Sequence, residues 1–356
     1  MSTPKAIILG YINRGAVASD GESVKNQYII SQLEKLGVKM LPLDFYGWRK
    51  RPWVMPQALL TLIFKPRTPL ILSTNPINIY GVIKAHRLLR SKRKIIYWVI
   101  GGSLHERIKS GEFEARYFKG IDQLLVESSI MYDSLREQGF DNVRVLPNFK
   151  EVNYLPPLHQ QGEKIRFVFL SRVSPYKGVD YIFDAVEMLN GNGYGDRFEV
   201  DIYGKVDDDY LSTFEDRENK LENVRYRGVL PMHTREGVDQ LAGYDVMLFP
   251  TFWPSEGFAG IFIDAAICGL PIIASDWAHN RAFLRDGVDA LFVQPKDAHQ
   301  LAEQMRRVID GEVDLAAMKR NAQSRAKDYD IDSVVTPQLL KELGLLQATC
   351  SASRRG

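Results

Sequence analysis

Hydrophobic and polar positions alternate along the chain in a regular way. Short apolar runs bounded by glycine, proline or polar residues are typical of buried parallel strands, and the longer amphipathic stretches between them predict helices. The runs that predict strands are Lys5–Gly10, Val38–Leu43, Leu70–Ser73, Ile95–Ile100, Leu124–Glu127, Val143–Leu146, Arg166–Leu170, Phe198–Tyr203, Val224–Tyr226, Asp245–Pro250, Pro271–Ser275 and Ala290–Val293. The stretches that predict helices are Ser23–Leu36, Ser129–Gln138, Gly178–Leu189, Ile261–Cys268, Ala298–Ile309 and Pro337–Leu345. This order predicts an α/β fold built on parallel sheets.

The alternation of strands and helices restarts after a short linker. Residues 156–164 have the proline-, glutamine- and glycine-containing composition of a linker. A chain of 356 residues is long enough for two domains. We therefore predict an N-terminal Rossmann-like domain over residues 1–157 and a C-terminal domain over residues 165–327. Residues 328–356 are predicted to form a helix and a tail that can pack back on the N-terminal domain.

Residues 245–276 carry the strongest chemical signal in the chain. A loop containing Glu256, Gly257 and Gly260 connects a predicted strand to a predicted helix, and Asp264 lies in the first turn of that helix. The N-terminus of a helix has unpaired N–H groups and the positive end of the helix dipole, which together bind anions. The stretch therefore predicts a phosphate site bracketed by two carboxylates.

Two cations stand in a similar position earlier in the same predicted domain. Arg172 and Lys177 lie between a strand and the helix that follows it. An arginine can bind phosphate with two hydrogen bonds, and a lysine acts as a compact point charge. Such a pair on its own is ordinary surface charge, but beside residues 245–276 it predicts a site for a diphosphate.

Charge is distributed unevenly, although the formal net charge is only +2. Residues 1–157 contain 23 Lys and Arg against 13 Asp and Glu, and the rest of the chain contains 23 against 31. A basic half is typical of a surface that meets an anionic partner, and two solvated domain surfaces are the alternative interpretation.

The cations of the N-terminal half concentrate around aromatic residues. Residues 45–68 mix Trp48, Trp53 and Phe64 with arginines and lysines, and residues 84–94 add a second basic stretch. Apolar side chains flanked by cations suit the surface of an anionic membrane. A solvated face with buried tryptophans is the alternative. A nucleic-acid surface is disfavoured because no binding motif accompanies the cations.

Signals for export and for membrane spanning are weak. The N-terminus runs directly into a predicted strand without the apolar core of a signal peptide, and no apolar run reaches the length of a membrane span. Two cysteines, Cys268 and Cys350, do not make a disulfide framework. We expect a cytoplasmic protein that is peripheral at the inner face of the cell membrane.

Four segments of the second half resemble the donor domain of glycosyltransferase family 4: FLSRVSPYKGVDYIFDA, DIYGK, VRYRGVLP and PSEGFAGIFIDAAICGLPIIASD. They cover most of residues 165–295 in the order that the family shows. SDGESVKNQ, after the first strand, is similar to a subset of the family that builds bacterial surface polysaccharides. The resemblance implies the GT-B fold, in which two facing Rossmann-like domains hold a nucleotide-sugar donor in their cleft. It also implies that the domain over residues 1–157 is the acceptor side and that the domain over residues 165–327 binds the nucleotide-sugar donor.

The resemblance also implies roles for individual residues. Arg172 and Lys177 would hold the donor diphosphate, and Glu256, the first carboxylate of the family's E-x7-E motif, would bind the donor sugar. These three are the catalytic candidates. The backbone of residues 257–261 would line the sugar pocket and meet the phosphates. The donor-binding candidates are Gly21, Gly204, Lys205, Val229, Gly257, Phe258, Ala259, Gly260, Ile261 and Asp264.

Two positions depart from the pattern of the family. Asp264 stands where the family has a second Glu that binds the ribose, and Asp is shorter by one C–C bond, about 1.5 Å. The ribose contact can therefore be shifted or bridged by water. On the acceptor side, Gly102 and His105 follow a predicted strand, at the edge where open α/β sheets bind ligands. The segment GGSLHER differs from the family's His-Asp pattern, and a structural histidine is the alternative.

The implied activity is transfer of a hexose, with retention at the anomeric carbon, from a nucleotide diphosphate to a glycolipid or polysaccharide precursor. The resemblance implies neither a metal nor another cofactor, and nothing points to a nucleic-acid partner. Two alternatives stay open. One is a non-catalytic subunit that binds a glycan or nucleotide without turnover. The other is a metal-dependent transferase that uses Asp207, Asp208 and Asp209.

Overall fold

The computed structural model describes residues 5–15, 20–88 and 93–346, except for the side chains of residues 87 and 88. The chain divides into two units. Unit 1 comprises the described residues up to Glu151 and those from Asp330 onward. Unit 2 comprises Val152–Tyr329.

Each unit is built on one sheet of six strands, and all the strand pairs are parallel. The strands of unit 1 are β1 (Ala6–Gly10), β2 (Met40–Asp44), β3 (Leu70–Thr74), β4 (Ile95–Val99), β5 (Gln123–Val126) and β6 (Val143–Val145). Those of unit 2 are β7 (Ile165–Leu170), β8 (Phe198–Tyr203), β9 (Val224–Tyr226), β10 (Val246–Phe249), β11 (Ile272–Ser275) and β12 (Ala290–Val293). The predicted α/β class with parallel sheets is confirmed.

Helices connect the strands and cover the sheets. The α-helices of the described residues are α1 (Gly21–Lys35), α2 (Val54–Phe64), α3 (Pro76–Leu88), α4 (Leu104–Lys109), α5 (Ala115–Phe118), α6 (Ser129–Glu137), α7 (Val179–Gly191), α8 (Leu211–Glu218), α9 (Arg235–Ala242), α10 (Ile261–Cys268), α11 (Asn280–Phe283), α12 (Ala298–Ile309), α13 (Leu315–Ser324), α14 (Ile331–Val334) and α15 (Pro337–Glu342). Helices α10 and α12 have the bounds predicted from the sequence.

The C-terminal segment is part of unit 1. The N–H of Ile331 donates to the carbonyl of Lys150 at 2.8 Å, and Lys35 of α1 pairs with Asp332 of α14 at 2.7 Å. Leu340 of α15 is fully buried in the cluster that also contains apolar residues of β1 and α1. One face of the first sheet is therefore completed by residues from the far end of the chain.

Unit 2 contains a buried ion pair at the start of β10. Lys319 of α13 lies 2.7 Å from Asp245, and both side chains are almost completely buried. Lys319 also donates to the carbonyl of His159, and Gln323 of the same helix donates to the carbonyl of Pro156. These contacts fix the predicted linker segment on the body of unit 2.

The first basic and aromatic segment, residues 45–68, forms a 3-10 turn and helix α2. Several apolar side chains of this segment are exposed, with Trp53 61% and Phe64 77% accessible. In the second basic stretch, Arg93 is buried and donates to the carbonyls of Leu62, Lys65 and Thr68, which ties it to the end of α2. Other residues of that stretch lie outside the described residues or their described side chains, as do Cys350 and the polar tail. In the part of the chain that the structure describes, no helix is both long and apolar enough to cross a membrane.

Candidate functional site

The site predicted in unit 2 lies where the order of strands in its sheet reverses. The spatial order is β12-β11-β10-β7-β8-β9, so the chain leaves β7 toward one edge and later returns to place β10 on the other side of β7. Open α/β sheets bind ligands at the carboxyl ends of the two strands that flank such a switch point. The loops after β7 and β10 carry Arg172, Lys177 and Glu256, so all three catalytic candidates lie at this edge.

Two glycines allow the loops at this edge to approach each other closely. Gly178 has a φ of +80°, and a Cβ at this position would lie 2.2 Å from the carbonyl oxygen of Pro250. Gly204, with a φ of +140°, would place a Cβ 1.7 Å from the carbonyl oxygen of Ser171. No side chain fits at such distances, and both φ values favour glycine. The loops after β7, β8 and β10 therefore meet through backbone.

A buried ion pair joins the loops after β7 and β10. The Nζ of Lys177 lies 2.5 Å from Oε2 of Glu256, and both side chains are nearly buried. The hydroxyl of Thr251 donates to the same Oε2 at 2.9 Å. Since both bonds end on Oε2, and Oε1 accepts none from the described residues, Oε1 is available to a hydroxyl of a ligand.

Thr251 organises the loop that carries Glu256, although no sequence pattern indicated this residue. Its Oγ1 accepts from the N–H of Trp253 at 3.3 Å, and its carbonyl accepts from the hydroxyl of Ser275 at the end of β11. The indole Nε1 of Trp277 donates to the carbonyl of Trp253 at 2.8 Å. A threonine after a strand is common, and only the folded loop shows its contact with Glu256.

Arg172 is half exposed beside this pair. Its guanidinium lies 5.1 Å from the centre of the Trp253 ring, within the range of a cation–π contact, and its Nε lies 3.8 Å from Asp207. Neither contact is a short bidentate pair, so the guanidinium keeps donors for a phosphate.

The helix that follows the loop begins without a side-chain cap. Gly260 is the N-cap of α10 and supplies no side-chain acceptor to the first N–H groups of the helix. The N–H groups of Phe262 and Ile263 already donate to the carbonyls of Ala259 and Gly260. The N–H groups of Gly260 and Ile261, at the start of the helix, are therefore the ones available to an anion. Asp264 lies in this first turn and is buried. The ring of Phe258 is buried and stacks on the ring of Phe283, with 4.0 Å between the ring centres, so only the backbone of Phe258 can face a ligand.

The other donor-binding candidates of unit 2 lie on the neighbouring loops of the same edge. Gly204 and Lys205 follow β8, where the carbonyl of Lys205 accepts from the N–H of Val173 while its side chain is exposed. Val229 follows β9 and is 68% exposed. These positions offer mainly backbone groups and one apolar side chain. Such groups suit a flat aromatic ring such as a nucleotide base, but they do not distinguish one base from another.

The aspartates considered as a metal site do not gather around one point. Asp207 faces Arg172, whereas Asp208 and Asp209 are exposed. In the ranges described, no three His, Cys, Asp or Glu side chains form an arrangement that could hold a metal ion.

The candidates of unit 1 lie at the carboxyl edge of its own sheet. Gly21 is the first residue of α1, and Asp20 caps this helix by accepting from the N–H of Ser23 at 2.9 Å. Gly102 and His105 follow β4; both are buried, and the carbonyl of His105 accepts from Gln138 at 3.2 Å. The sequence thus placed candidates at the binding edge of each sheet.

Residues 164–311 match the family model described as Glycosyl transferases group 1. A protein of the cps region of Klebsiella pneumoniae, itself uncharacterized, is 28% identical over 145 residues, which cover 41% of this chain and 37% of that protein. The chain spans about two fifths of the length of the first curated relatives that it matches.

Solved structures show the same fold over almost the whole chain. Anabaena HepE in complex with UDP matches with a TM-score of 0.71 at 16% identity and covers 96% of this chain and 100% of its own. A lipopolysaccharide outer core galactosyltransferase, WaaB, matches with a TM-score of 0.69 at 15% identity and covers 96% and 99%. The predicted GT-B fold is confirmed, and the family model that matches residues 164–311 agrees with the family 4-like resemblance.

Proposed function

We propose that the group 1 domain makes this chain a retaining glycosyltransferase that moves a hexose from a nucleotide diphosphate to a glycolipid or polysaccharide precursor. The observation that carries the proposal is the Lys177–Glu256 pair at the switch point of unit 2, next to the uncapped N-terminus of α10. Solved relatives of the same fold bind UDP and UDP-glucose, which supports a UDP-linked donor.

The costly event in this reaction is departure of the diphosphate as its negative charge grows. Lys177, Arg172 and the N-terminus of α10 provide positive potential at one edge of the sheet, fixed before the reaction begins. Preorganised charge of this kind stabilises a transition state without further reorganisation. We propose that it replaces a metal ion, so that no cofactor is required.

Glu256 is assigned to the donor sugar. Its Oε2 is held by Lys177 and Thr251, so the carboxylate has a fixed orientation and can accept a sugar hydroxyl through Oε1. In the route that we favour, the acceptor oxygen bonds to the anomeric carbon on the face from which the diphosphate leaves. The hydroxyl proton passes to the leaving phosphate, which gives retention without a covalent sugar–enzyme intermediate.

The amphipathic α2 region is proposed as a contact with an anionic membrane surface. Apolar side chains such as Trp53, Leu59, Ile63 and Phe64 are exposed on unit 1, and Arg49 and Lys50 stand exposed in the turn before the helix. Exposed apolar side chains beside cations bind the interface of anionic bilayers. This contact would place the protein at the inner face of the cell membrane, beside a lipid-linked acceptor.

The donor site is tested by release of UDP from UDP-glucose. Lys177→Ala and Glu256→Ala should each lower turnover by roughly 10²–10³-fold, the range found when a preorganised charge or donor is removed. Lys319→Ala is the matched control, because it breaks a buried ion pair of unit 2 at the opposite end of β10. It should destabilise the fold while the folded fraction keeps wild-type turnover.

Three outcomes would reject parts of this assignment. Wild-type turnover in the Lys177 or Glu256 variant would reject the site. Binding of UDP-glucose without any release of UDP or transfer, across a screen of acceptors, would favour the non-catalytic subunit. Loss of turnover with a chelator, restored by a divalent cation, would favour a metal-dependent enzyme.

A further inference from the structure

Unit 1 has a switch point of its own, and of the candidate residues only Gly21, the first residue of α1, lies beside it. Its strand order is β2-β1-β3-β4-β5-β6, so the order reverses between β1 and β3. Both strands end at one edge, and a Cβ on Gly10 at the end of β1 would lie 2.2 Å from the carbonyl oxygen of Ser73. Polar groups at this point stand where an open α/β sheet binds a ligand.

Polar side chains of α1 and β3 converge here and are incompletely paired. Asn26 uses its Nδ2 to bond the carbonyls of Tyr11 and Ser73, which ties the loop after β1 to β3. Its Oδ1, the hydroxyls of Ser23 and Ser73, and Oε1 of Glu22 are buried and have no hydrogen-bond partner among the described residues. Buried polar atoms without partners are rare, and a cluster of them needs an explanation.

Glu22 is the charged member of this cluster. It lies in the first turn of α1, and the pKa of its carboxyl is raised from 4.5 to about 7, chiefly by burial. Hydrogen bonds from the side chain of Thr74 and from the backbone of Tyr11 and Asn75 oppose this rise in the pKa, and the charge of Asp20 adds to it. A carboxyl group whose pKa is raised and that lies at the switch point of a sheet is typical of a functional site.

The charged groups that the structure describes on the elements around this switch point have partners of their own, and none of them is a cation paired with Glu22. Lys25 of α1 is paired with Glu127 after β5, and both are buried. Asp44 after β2 accepts from the N–H groups of Ile12 and Arg14. Tyr97 of β4 donates its hydroxyl to the carbonyl of Thr74 at 3.1 Å.

A carboxylate without a cation partner repels a diphosphate and favours a neutral hydrogen-bond donor. Resting on the proposed function, we propose that Glu22 and Thr74 form a binding site for a hydroxyl group of the saccharide acceptor, with the ionised Glu22 carboxylate accepting the hydrogen bond. The substrate class is a neutral, hydroxyl-rich glycan. Unit 1 would thereby select the acceptor through one titrating carboxylate.

The test uses the full chain and six probes, the methyl α- and β-glycosides of glucose, galactose and mannose. Binding is measured by saturation-transfer NMR at several pH values. At least one probe should bind, with affinity that falls about tenfold from about pH 8 to about pH 6, because Glu22 is protonated on the way. Glu22→Gln should bind roughly tenfold or more weakly at the higher pH and show no dependence on pH.

Two further variants separate this role from a structural one. Asp20→Asn keeps a good helix cap but removes the charge that raises the pKa of Glu22. Glycoside affinity at high pH should therefore be unchanged, and the pH midpoint of the change in affinity should move to lower pH. Thr74→Val removes the group that lowers this pKa, so the midpoint should move to higher pH. Thermal unfolding checks each fold; Glu22→Gln should be at least as stable as wild type above neutral pH, since a buried charge is gone.

Four results would overturn the proposal. These are binding of no probe, wild-type binding by Glu22→Gln, midpoints unaffected in both Asp20→Asn and Thr74→Val, or affinity that rises toward low pH. The last would mean that a protonated Glu22 donates to an anion such as phosphate. Donor binding is measured separately with UDP-glucose. A chain that binds glycosides but no nucleotide sugar therefore rejects the proposed function and not this site, and the converse rejects only this site.

Discussion

At the scale of single residues, the geometry of the donor edge depends on glycines as much as on charged groups. Lys177 reaches Glu256 because the next residue, Gly178, lets the loop after β7 lie against the carbonyl of Pro250. A side chain at Gly178 would be strained by its positive φ and would also push the two loops apart. The ion pair and the close approach are one feature of the structure.

Gly178→Ala should therefore lower the free energy of unfolding and weaken UDP binding several-fold. Gly193→Ala is the matched control, because Gly193 has a φ of +82° but open space around the position of a Cβ. The control should cost about 1 kcal/mol from backbone strain alone and leave UDP binding unchanged. Urea unfolding and calorimetric titration measure both. Equal effects of the two substitutions would show that contact with Pro250 is unimportant.

The residues of the candidate site were easier to predict than the contacts between them. Arg172, Lys177 and Glu256 could be predicted because residue type, position after a strand and a family motif agree. The bond between Lys177 and Glu256 could not, because it joins loops that are distant in the chain. Glu22 was overlooked because a glutamate in the first turn of a helix ordinarily complements the dipole at the surface.

At the scale of elements, α2 is the helix whose sequence and surroundings disagree most. It is strongly apolar, yet Ala58 is its only fully buried residue among those described. Arg93 holds the end of the helix through three carbonyls, so α2 is anchored by backbone contacts rather than by a buried apolar face. The basic and aromatic pattern predicted an exposed surface here but not that one of its cations is structural.

The double variant Ile63→Ser and Phe64→Ser should reduce cosedimentation with anionic liposomes several-fold, since two exposed apolar side chains are lost. Neutralising Arg49 and Lys50 should weaken binding by about fivefold per charge at low salt and by less at high salt. Arg51 is left in place because it donates to the carbonyl of Tyr46. Ile130→Ser, an exposed apolar position of α6, is the control. Equal loss in the control would reject α2 as the membrane contact.

At the scale of the whole molecule, the order of elements could be predicted well. Apolar runs located all twelve strands of the described residues, because strands buried on both faces are almost continuously apolar. Nine of the fifteen α-helices of the described residues were not predicted, among them α2 and α3, which show no clear polar face. Nor could the sequence show which faces the last helices cover, because that depends on contacts with the other end of the chain.

Leu340→Ala tests the role of this C-terminal segment. Leu340 is fully buried in unit 1, and such a truncation ordinarily costs about 2–5 kcal/mol. Glu342→Ala, on the exposed side of the same helix, loses an ion pair with Arg144 and should cost little, because solvent screens exposed ion pairs. Urea unfolding compares the two, while UDP binding should persist in both variants because the proposed donor site lies in unit 2. Similar losses of stability would contradict the packing described here.

The return of the chain to unit 1 limits how such genes can recombine. A single crossover near Glu151 would exchange unit 2 but would also replace the helices from Asp330 onward that complete the first sheet. Two crossovers, one near Glu151 and one near Asp330, would exchange unit 2 alone, and the first sheet would keep the helices that cover it. Genes that have exchanged unit 2 by recombination should therefore show two breakpoints, not one.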